Sequence, residues 1–230
     1  ICNMNDPEQR MLTMVKWWIG NMTHIPKKGI MGAKPYNAIL GETFITRYIH
    51  SDSKTLMVAE QVSHHPPISA IYVTNRQKNF AMKAILKPKS KFHGNSASTL
   101  LDGEIIVQLL SNGLKEQYSI VFPHVVAKGL IWGQQGLEMN DFLKIKCDKT
   151  GLSAKIEFLV KKENGVKGSI KRNGTDKLYK ISGCLTDKVM IKSLTTKNSS
   201  VLVDVPAMVN NTVPGSVFGD KSTLQYVKPV

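Results

Sequence analysis

The stretch Glu60-Gln61-Val62-Ser63-His64-His65-Pro66-Pro67 says more about the fold than any other part of this 230-residue chain. The two prolines fix their own φ angles and bias His65, the residue before the first of them, toward an extended backbone. Both imidazoles are therefore predicted to sit on a stiff segment where a strand leaves a sheet. Two ring donors that gain charge near neutral pH suit a phosphate group.

The histidine pair has two other interpretations. The rings could hydrogen-bond the carbonyl groups of their own turn and serve only the structure. They could also bind a metal, but adjacent side chains diverge on an extended backbone and no third ligand has a recognisable spacing. The sequence therefore predicts no metal site.

Composition indicates an ordinary globular chain with 42% hydrophobic and 21% charged residues. No apolar run approaches the roughly 18 residues that cross a bilayer as a helix. The three cysteines, Cys2, Cys147 and Cys184, are far apart in the sequence. They argue against a disulfide framework and fit a reducing compartment such as the cytoplasm.

The charge balance is unusual, because 31 Lys and Arg face 17 Asp and Glu, which gives +14. Such an excess favours an anionic partner, either a membrane surface, a phosphoinositide or a nucleic acid. The alternative is a solvated surface that serves only solubility. The lysines are dispersed, and the nearest clusters are Lys83, Lys87, Lys89 and Lys91, then Lys161, Lys162, Lys167, Lys171 and Arg172.

Two classes of protein are disfavoured by what the sequence lacks. Nucleic-acid binding needs basic residues interleaved with exposed aromatics or a recognition helix, and aromatics make up only 7% of the chain. The enzyme motifs GxSxG, HExxH and the Walker loop are missing from the sequence. We therefore expect neither an enzyme nor a cofactor.

Residues 6–20 are predicted to form a helix. Asp6 is a favourable N-cap and Pro7 suits the first helical position. One face carries apolar residues at helical spacing, which are Met11, Met14, Val15, Trp18 and Ile19. This stripe is predicted to be a packing face.

The remainder of the chain is patterned as strands, after a loop over 21–36. Short β-branched or aromatic runs are separated by Gly, Asn, Asp or Pro turns, and Asn112-Gly113 and Asn173-Gly174 are hairpin signals. The predicted strands are 42–50, 55–62, 68–74, 80–87, 104–110, 117–122, 125–132, 142–147, 152–160, 167–171, 177–182 and 188–192. The segment 193–230 is predicted to be an irregular or only partly helical tail.

The EQVSHHPP stretch resembles the signature of the oxysterol-binding protein family of lipid carriers, and four further segments resemble that family in the same order. The first is KPYNAILGETF (34–44), with Ala38 where the family often has Pro. The others are KSKFHG (89–94), with His93 in place of Trp, KGLIWG (128–133) and GLSAKIEF (151–158). The resemblance runs from about residue 6 to 192.

The resemblance implies a fold that the strand pattern alone leaves open. Runs such as 68–73 and 105–110 are apolar on both faces, which fits either a wall covered from outside or one lined for a lipid. The family implies the second arrangement. We therefore expect a mainly β (α+β) fold, in which a curved antiparallel sheet forms an incomplete β-barrel around a hydrophobic tunnel, with the N-terminal helix packed on it.

The resemblance also implies a binding site and a function. His64, His65, Lys34 and Asn37 are expected to bind the head group of phosphatidylinositol 4-phosphate. That lipid would exchange with a sterol or phosphatidylserine during transfer between membranes. The chain would then be cytoplasmic and peripheral, held at anionic membranes or membrane contact sites. The alternative is a phosphoinositide-binding sensor or scaffold without transport activity.

Proteins of this family carry a lid segment before the first helix and further helices after the last strands. The present chain begins almost at the helix and stops at Val230. We therefore expect a single lipid-binding domain over 1–230 that corresponds to the core portion of the family's domain. The chain is then either a short divergent member of the family or a fragment of a longer protein.

Overall fold

A computed structural model describes residues 1–21, 37–110, 113, 115–159, 164–210 and 224–226. It contains two helices and fourteen strands within those ranges. In chain order they are α1 (Pro7–Asn21), β1 (Thr43–Ile49), β2 (Lys54–Ser63), β3 (Ile68–Asn75), β4 (Phe80–Phe92), β5 (Ser96–Leu109), β6 (Glu116–Val121), β7 (His124–Lys128), β8 (Gly136–Cys147), β9 (Leu152–Leu159), β10 (Gly165–Arg172), β11 (Asp176–Cys184), β12 (Lys188–Ser193), β13 (Ser199–Asp204), α2 (Val205–Asn210) and β14 (Leu224–Tyr226).

Helix α1 forms where the sequence predicts it. The Asp6 side chain accepts a hydrogen bond from the backbone N–H of Glu8 at 2.9 Å, the contact expected of an N-cap. All five residues of the predicted apolar stripe are buried. The helix packs against β9 and β13, so the stripe joins the core of the sheet.

The strands form one antiparallel sheet whose spatial order almost repeats the order of the chain. It reads β13-β12-β11-β10-β9-β8-β6-β5-β4-β3-β2-β1-β14, and β7 lies off this path between β5 and β8. Neighbours are joined by short turns, and Asn173 and Gly174 between β10 and β11 both have positive φ, as their hairpin signal predicts. The sheet curves into a partial ring with two free ends, so the mainly β prediction is confirmed.

Alternation along the strands sets the position of the core. In β6, Glu116, Tyr118 and Ile120 are buried and the residues between them are exposed. In β9 the buried positions are Leu152, Ala154, Ile156 and Phe158. One face of the sheet, the core side, therefore meets α1, while the outer side carries the polar residues.

The β4–β5 hairpin is much longer than predicted. Strand β4 continues past residue 87 to Phe92, and β5 begins at Ser96 instead of 104. Beyond Leu86 the strand β4 no longer pairs with β3 and keeps only β5 as a neighbour. Its residues there, KPKSKF, are mostly exposed and lack the alternation of apolar and polar residues that marks a half-buried strand. The predicted strand 125–132 is shorter, since β7 ends at Lys128 and the next residue, Gly129, has a φ of 68°, which is not a strand conformation.

The prediction of an irregular tail over 193–230 needs correction in its described part. Residues 199–204 form β13, which pairs with β12, and buries Leu202 and Val203. Helix α2 follows directly, and its Ala207 N–H donates to Asp204 at 3.1 Å. The predicted loop 21–36 and Asn112 lie outside the described residues, apart from Asn21 at the end of α1.

Within the described ranges, no helix has the length and apolar character needed to cross a membrane. The same residues hold no cluster of three or more side chains that could bind a metal ion. Cys2 and Cys147 are buried thiols, and Cys184 is half-buried.

Candidate functional site

The histidine pair lies on the turn between two strands. Strand β2 ends at Ser63 and β3 begins at Ile68, so His64 and His65 leave the sheet where the prolines predict. Both residues are exposed. Their ring centroids are 4.6 Å apart with the planes inclined by 71°, and the His65–Pro66 peptide bond is cis.

A buried glutamine fixes the base of this turn. The Gln61 amide nitrogen donates to the Ser63 carbonyl at 2.8 Å, and its oxygen accepts from the Ser69 hydroxyl at 2.6 Å. Sequence reasoning quoted Gln61 within the motif but gave it no role. Its two hydrogen bonds tie the last residues of β2 to β3, so the turn that carries the imidazoles is anchored at both ends.

Neither imidazole has a hydrogen-bond partner among the described residues of the chain. The interpretation in which both rings serve only the carbonyl groups of their own turn therefore receives no support. Their donors are free to meet a ligand from solvent. Two rings held at 4.6 Å on one anchored turn can contact the same phosphate group.

Asn37 lies in the exposed segment that leads into β1, and this segment is joined to β2 next to the turn. The Gly41 N–H donates to the Gln61 carbonyl at 2.8 Å, and the Gln61 N–H donates to the Glu42 carbonyl at 3.0 Å. Gly41 has a φ of 77°, which favours glycine. The backbone after Asn37 therefore meets β2 three residues before His64. Lys34 lies outside the described residues.

Two apolar side chains are exposed beside this junction. Ile39 and Leu40 are 69% and 65% exposed. Glu42 fixes their backbone, because its carboxylate accepts from the Ile39 N–H at 2.9 Å and its own N–H donates to the Ile39 carbonyl at 3.0 Å. The candidate phosphate site is thus bordered by apolar surface.

An apolar band crosses the core side of β2 to β5 below the turn. Met57, Val73, Met82 and Val107 face one another across the four strands. Val107 is fully buried, whereas the other three are only half-buried. The core therefore thins toward the strands that carry the histidine turn and leaves apolar side chains partly uncovered.

Two of the quoted segments meet at the far end of the β4–β5 hairpin. The Asn95 side-chain oxygen accepts from the N–H groups of Ile131 and Trp132 at 2.9 and 3.0 Å, and its nitrogen donates to the Trp132 carbonyl at 2.9 Å. Asn95 therefore clamps the KGLIWG loop against the KSKFHG turn. Sequence reasoning missed Asn95, because its partners are 36 and 37 residues away.

The antiparallel sheet curves into a partial ring, and the N-terminal helix packs on its core side. Together with the exposed histidine pair at a strand end, this architecture defines a β-rich ligand-binding domain. The family model of the oxysterol-binding proteins matches residues 1–223. The chain belongs to the oxysterol-binding protein family.

Relatives in sequence support this membership. The human and mouse oxysterol-binding protein-related protein 8 are each 40% identical over 205 residues, which is 85% of this chain and 22% of theirs. Oxysterol-binding protein 4 of Dictyostelium discoideum is 39% identical over 201 residues, 83% of this chain and 42% of that protein. The chain thus spans less than half the length of these relatives.

Solved structures share the fold. The Osh1 ORD domain in complex with ergosterol matches with a TM-score of 0.73 at 24% identity, over 88% of this chain and 48% of that one. The Osh3 ORD of Saccharomyces cerevisiae in complex with PI(4)P matches with a TM-score of 0.63 at 20% identity, over 88% and 53%.

Proposed function

We propose that this chain is a lipid-binding domain that exchanges phosphatidylinositol 4-phosphate for a second lipid between membranes. The observation that carries the proposal is the exposed His64–His65 pair on an anchored turn, bordered by partly uncovered apolar surface. A phosphoinositide needs both elements, because its head group is an anion and its acyl chains are apolar.

The phosphate end of the site has suitable chemistry. Each imidazole offers a ring donor, and a bound phosphate favours the charged form of histidine, which strengthens the hydrogen bond. Asn37 adds an amide donor from the adjoining segment, and Lys34, which precedes it in the KPYN motif, adds a point charge. These two residues are the proposed complement to the histidines.

The second lipid is proposed to be a sterol or phosphatidylserine. Support for the sterol comes from the related fold of the Osh1 ORD domain, whose structures contain ergosterol or cholesterol. Support for the phosphoinositide comes from the Osh3 ORD in complex with PI(4)P. Apolar side chains such as Met57, Met82 and Ile71 on the core side are the proposed contacts for the lipid body.

The domain would act at the surface of anionic membranes as a peripheral cytoplasmic protein. Its net charge of +14 supports attraction to such surfaces, since each basic residue near an anionic bilayer contributes about 1 kcal/mol. No nucleic-acid partner is proposed.

Replacing His64 and His65 together with alanine tests the head-group site. Loss of two charge-assisted hydrogen bonds, about 1.5–3 kcal/mol each, should weaken binding to vesicles containing phosphatidylinositol 4-phosphate by at least about tenfold. The matched control replaces His50 and His93, which are exposed histidines at other sites, and should bind like the wild type. Wild-type affinity in the folded His64→Ala/His65→Ala variant would refute the site.

A transfer assay tests exchange itself. Donor vesicles carry a labelled sterol or phosphatidylserine, and acceptor vesicles do or do not carry phosphatidylinositol 4-phosphate. Exchange predicts faster movement of the labelled lipid when the acceptor contains the phosphoinositide. Binding without any movement of lipid would instead identify a sensor or scaffold.

A further inference from the structure

The outer side of β8 to β12 carries lysines that face one another across strands. One row, in strand order, is Lys144, Lys155, Ser169, Lys180 and Lys192. The next row is Lys146, Ser153, Lys171 and Lys177. With Lys167 beside them, these eight lysines define what we call the lysine face.

Few acidic groups balance this charge. Glu157 forms an ion pair with Lys167 at 3.0 Å, and Asp148 forms an ion pair with Lys146 at 2.6 Å. The other six lysines of the face have no carboxylate partner among the described residues. The Lys155 ammonium instead lies 3.7 Å from the centroid of the Phe142 ring.

The arrangement is unfavourable for the isolated sheet. Like charges placed directly opposite each other on neighbouring strands destabilise a sheet. Lys144 faces Lys155, Lys180 faces Lys192, and Lys171 faces Lys177. A bound anionic partner would relieve the repulsion in all three pairs.

The face also has a depression that can receive such groups. A cavity of about 700 Å³ is lined by the lysines at 155, 171 and 180 together with the hydroxyls of Ser153 and Ser169. Glu157 also lines the cavity, and its carboxylate is paired with Lys167 at 3.0 Å. In all, five lysines and three serines of the lining offer ammonium and hydroxyl donors. These are donors suited to phosphate oxygens.

We infer that the lysine face docks onto the surface of an anionic lipid bilayer. The first row crosses five strands, which at about 4.8 Å per strand spans about 19 Å. A charge spread over that distance matches a membrane, whose anionic head groups are numerous and can move beneath each lysine. The inference does not rest on the proposed lipid exchange, because the face lies on different strands from the histidine turn.

The side chains on the face favour a bilayer over a nucleic acid. Among the described residues of the face there is no arginine, and Arg172 of β10 turns to the core side, where it pairs with Glu8. Binding of single-stranded nucleic acid draws on exposed aromatic rings for stacking. Phe142 is half-buried and lies beneath the ammonium of Lys155.

The test uses the 230-residue chain and sedimentation with phosphatidylcholine vesicles that contain phosphatidylserine and no phosphoinositide. The variant replaces Lys144, Lys155, Lys180 and Lys192 with glutamine. We expect its partition coefficient to fall at least about tenfold, because each of the four charges contributes to attraction at the surface. Wild-type binding should weaken as sodium chloride is added and should vanish on pure phosphatidylcholine.

A matched control separates this face from net charge. It replaces Lys16, Lys54, Lys115 and Lys197, four exposed lysines on other parts of the molecule, with glutamine. The control should bind within about twofold of the wild type if the face is the contact. Equal losses in the two quadruple variants, or wild-type binding by the face variant, would overturn the inference.

Further arms keep the result interpretable. Should the face variant fail to fold by circular dichroism, Lys180→Gln is compared with Lys197→Gln. A single-stranded oligonucleotide that binds through the lysine face more tightly than the vesicles do at equal salt would also overturn the inference.

Discussion

Arg10 shows how a single buried residue joins distant parts of this chain. Its guanidinium donates to both carboxylate oxygens of Glu116 at 2.5 and 2.8 Å, and to the carbonyls of Met4 and Asn5. The Tyr118 hydroxyl donates to the same carboxylate at 2.8 Å. Burial, followed by this hydrogen bond, raises the pKa of Tyr118 well above its usual range. The positive charge of Arg10 and the negative charge of Glu116 cancel only while both side chains are present.

Replacing Glu116 with glutamine should therefore be strongly destabilising. The Arg10 and Glu116 side chains are each 3% exposed, and removing one partner of a buried ion pair costs about 3–5 kcal/mol. Urea unfolding measures the change in the free energy of unfolding.

The control for this prediction is Glu104→Gln, an exposed glutamate on β5. Surface changes of this kind normally stay within about 0.5 kcal/mol. A Glu116→Gln variant as stable as Glu104→Gln would show that the buried pair contributes nothing to stability.

Some residues of the site were predictable from sequence and others were not. The exposed turn at His64 and His65 follows from Pro66 and Pro67, because proline acts on its immediate neighbours. Arg10 and Glu116 could not be paired in advance, since 106 residues separate them and neither lies in a motif. Effects of a residue on its neighbours in the sequence can be predicted from the sequence, whereas contacts between residues that the sheet brings together cannot.

At the scale of elements, α1 is fixed to the sheet by a second polar cluster near its start. The Glu8 carboxylate accepts from Arg172 of β10 at 2.5 Å and from the Tyr179 hydroxyl of β11 at 2.9 Å. Burial, followed by the hydrogen bond to Glu8, raises the pKa of Tyr179 to about 12. Ionisation of this tyrosine would place two negative charges side by side.

This contact predicts a pH dependence in the alkaline range. Below about pH 10, the ordinary tyrosine pKa, the folded and unfolded chains both keep the proton, so the contribution to stability is complete. Between about 10 and about 12 the unfolded chain loses the proton first, so stability falls as pH rises. Tyr179→Phe should show a shallower fall over this window in urea unfolding at a series of pH values.

The wild type and the Tyr179→Phe variant share all other groups that titrate at alkaline pH, including Tyr118. Only the difference between their two pH profiles therefore reports on Tyr179. If the wild type and Tyr179→Phe lose stability in parallel, Tyr179 keeps an ordinary pKa in the folded chain. The contact with Glu8 would then not hold α1 in the way that the distances indicate.

The strands themselves were largely predictable, because most alternate between buried and exposed residues. The extension of β4 to Phe92 was not, since Lys87, Lys89 and Lys91 alternate with residues that no third strand covers. The strand β13 was also missed, because it begins with two serines, Ser199 and Ser200, and its apolar run, 201–203, is short. Pattern reading fails where a strand, or half of a strand, has a neighbour on one side only.

At the scale of the whole molecule, positive charge is concentrated on the lysine face, and this clustering is not visible in the order of the sequence. The lysines appear dispersed along the chain, yet strand pairing aligns Lys155 with Lys144, and Lys180 with Lys192. Directly opposed side chains are about 5 Å apart at Cβ. That separation is shorter than the screening length of about 10 Å in 0.1 M salt.

Added salt should therefore stabilise this protein. Raising sodium chloride shortens the screening length to about 3 Å at 1 M, which weakens repulsion between opposed lysines. We expect the unfolding temperature of the wild type to rise with salt, and the Lys144/Lys155/Lys180/Lys192→Gln variant to start higher and rise less. Calorimetry across a salt series measures both.

The control for the salt series is the glutamine variant at Lys16, Lys54, Lys115 and Lys197. It has the same net charge as the variant of the lysine face but keeps the opposed lysine pairs across the strands. Its response should follow the wild type. If both quadruple variants respond alike, the net charge of +14 and not the pairing across strands sets the stability.

The long separation between α1 and its partners has a consequence for synthesis on the ribosome. At about 5–20 residues per second, the 106 residues from Arg10 to Glu116 take about 5–20 s to be made. Arg172 follows Glu8 by 164 residues. The apolar stripe of α1 is likewise made long before β9 and β13, the strands against which it packs. We expect a chaperone that shields apolar segments of nascent chains to bind the stripe during that interval.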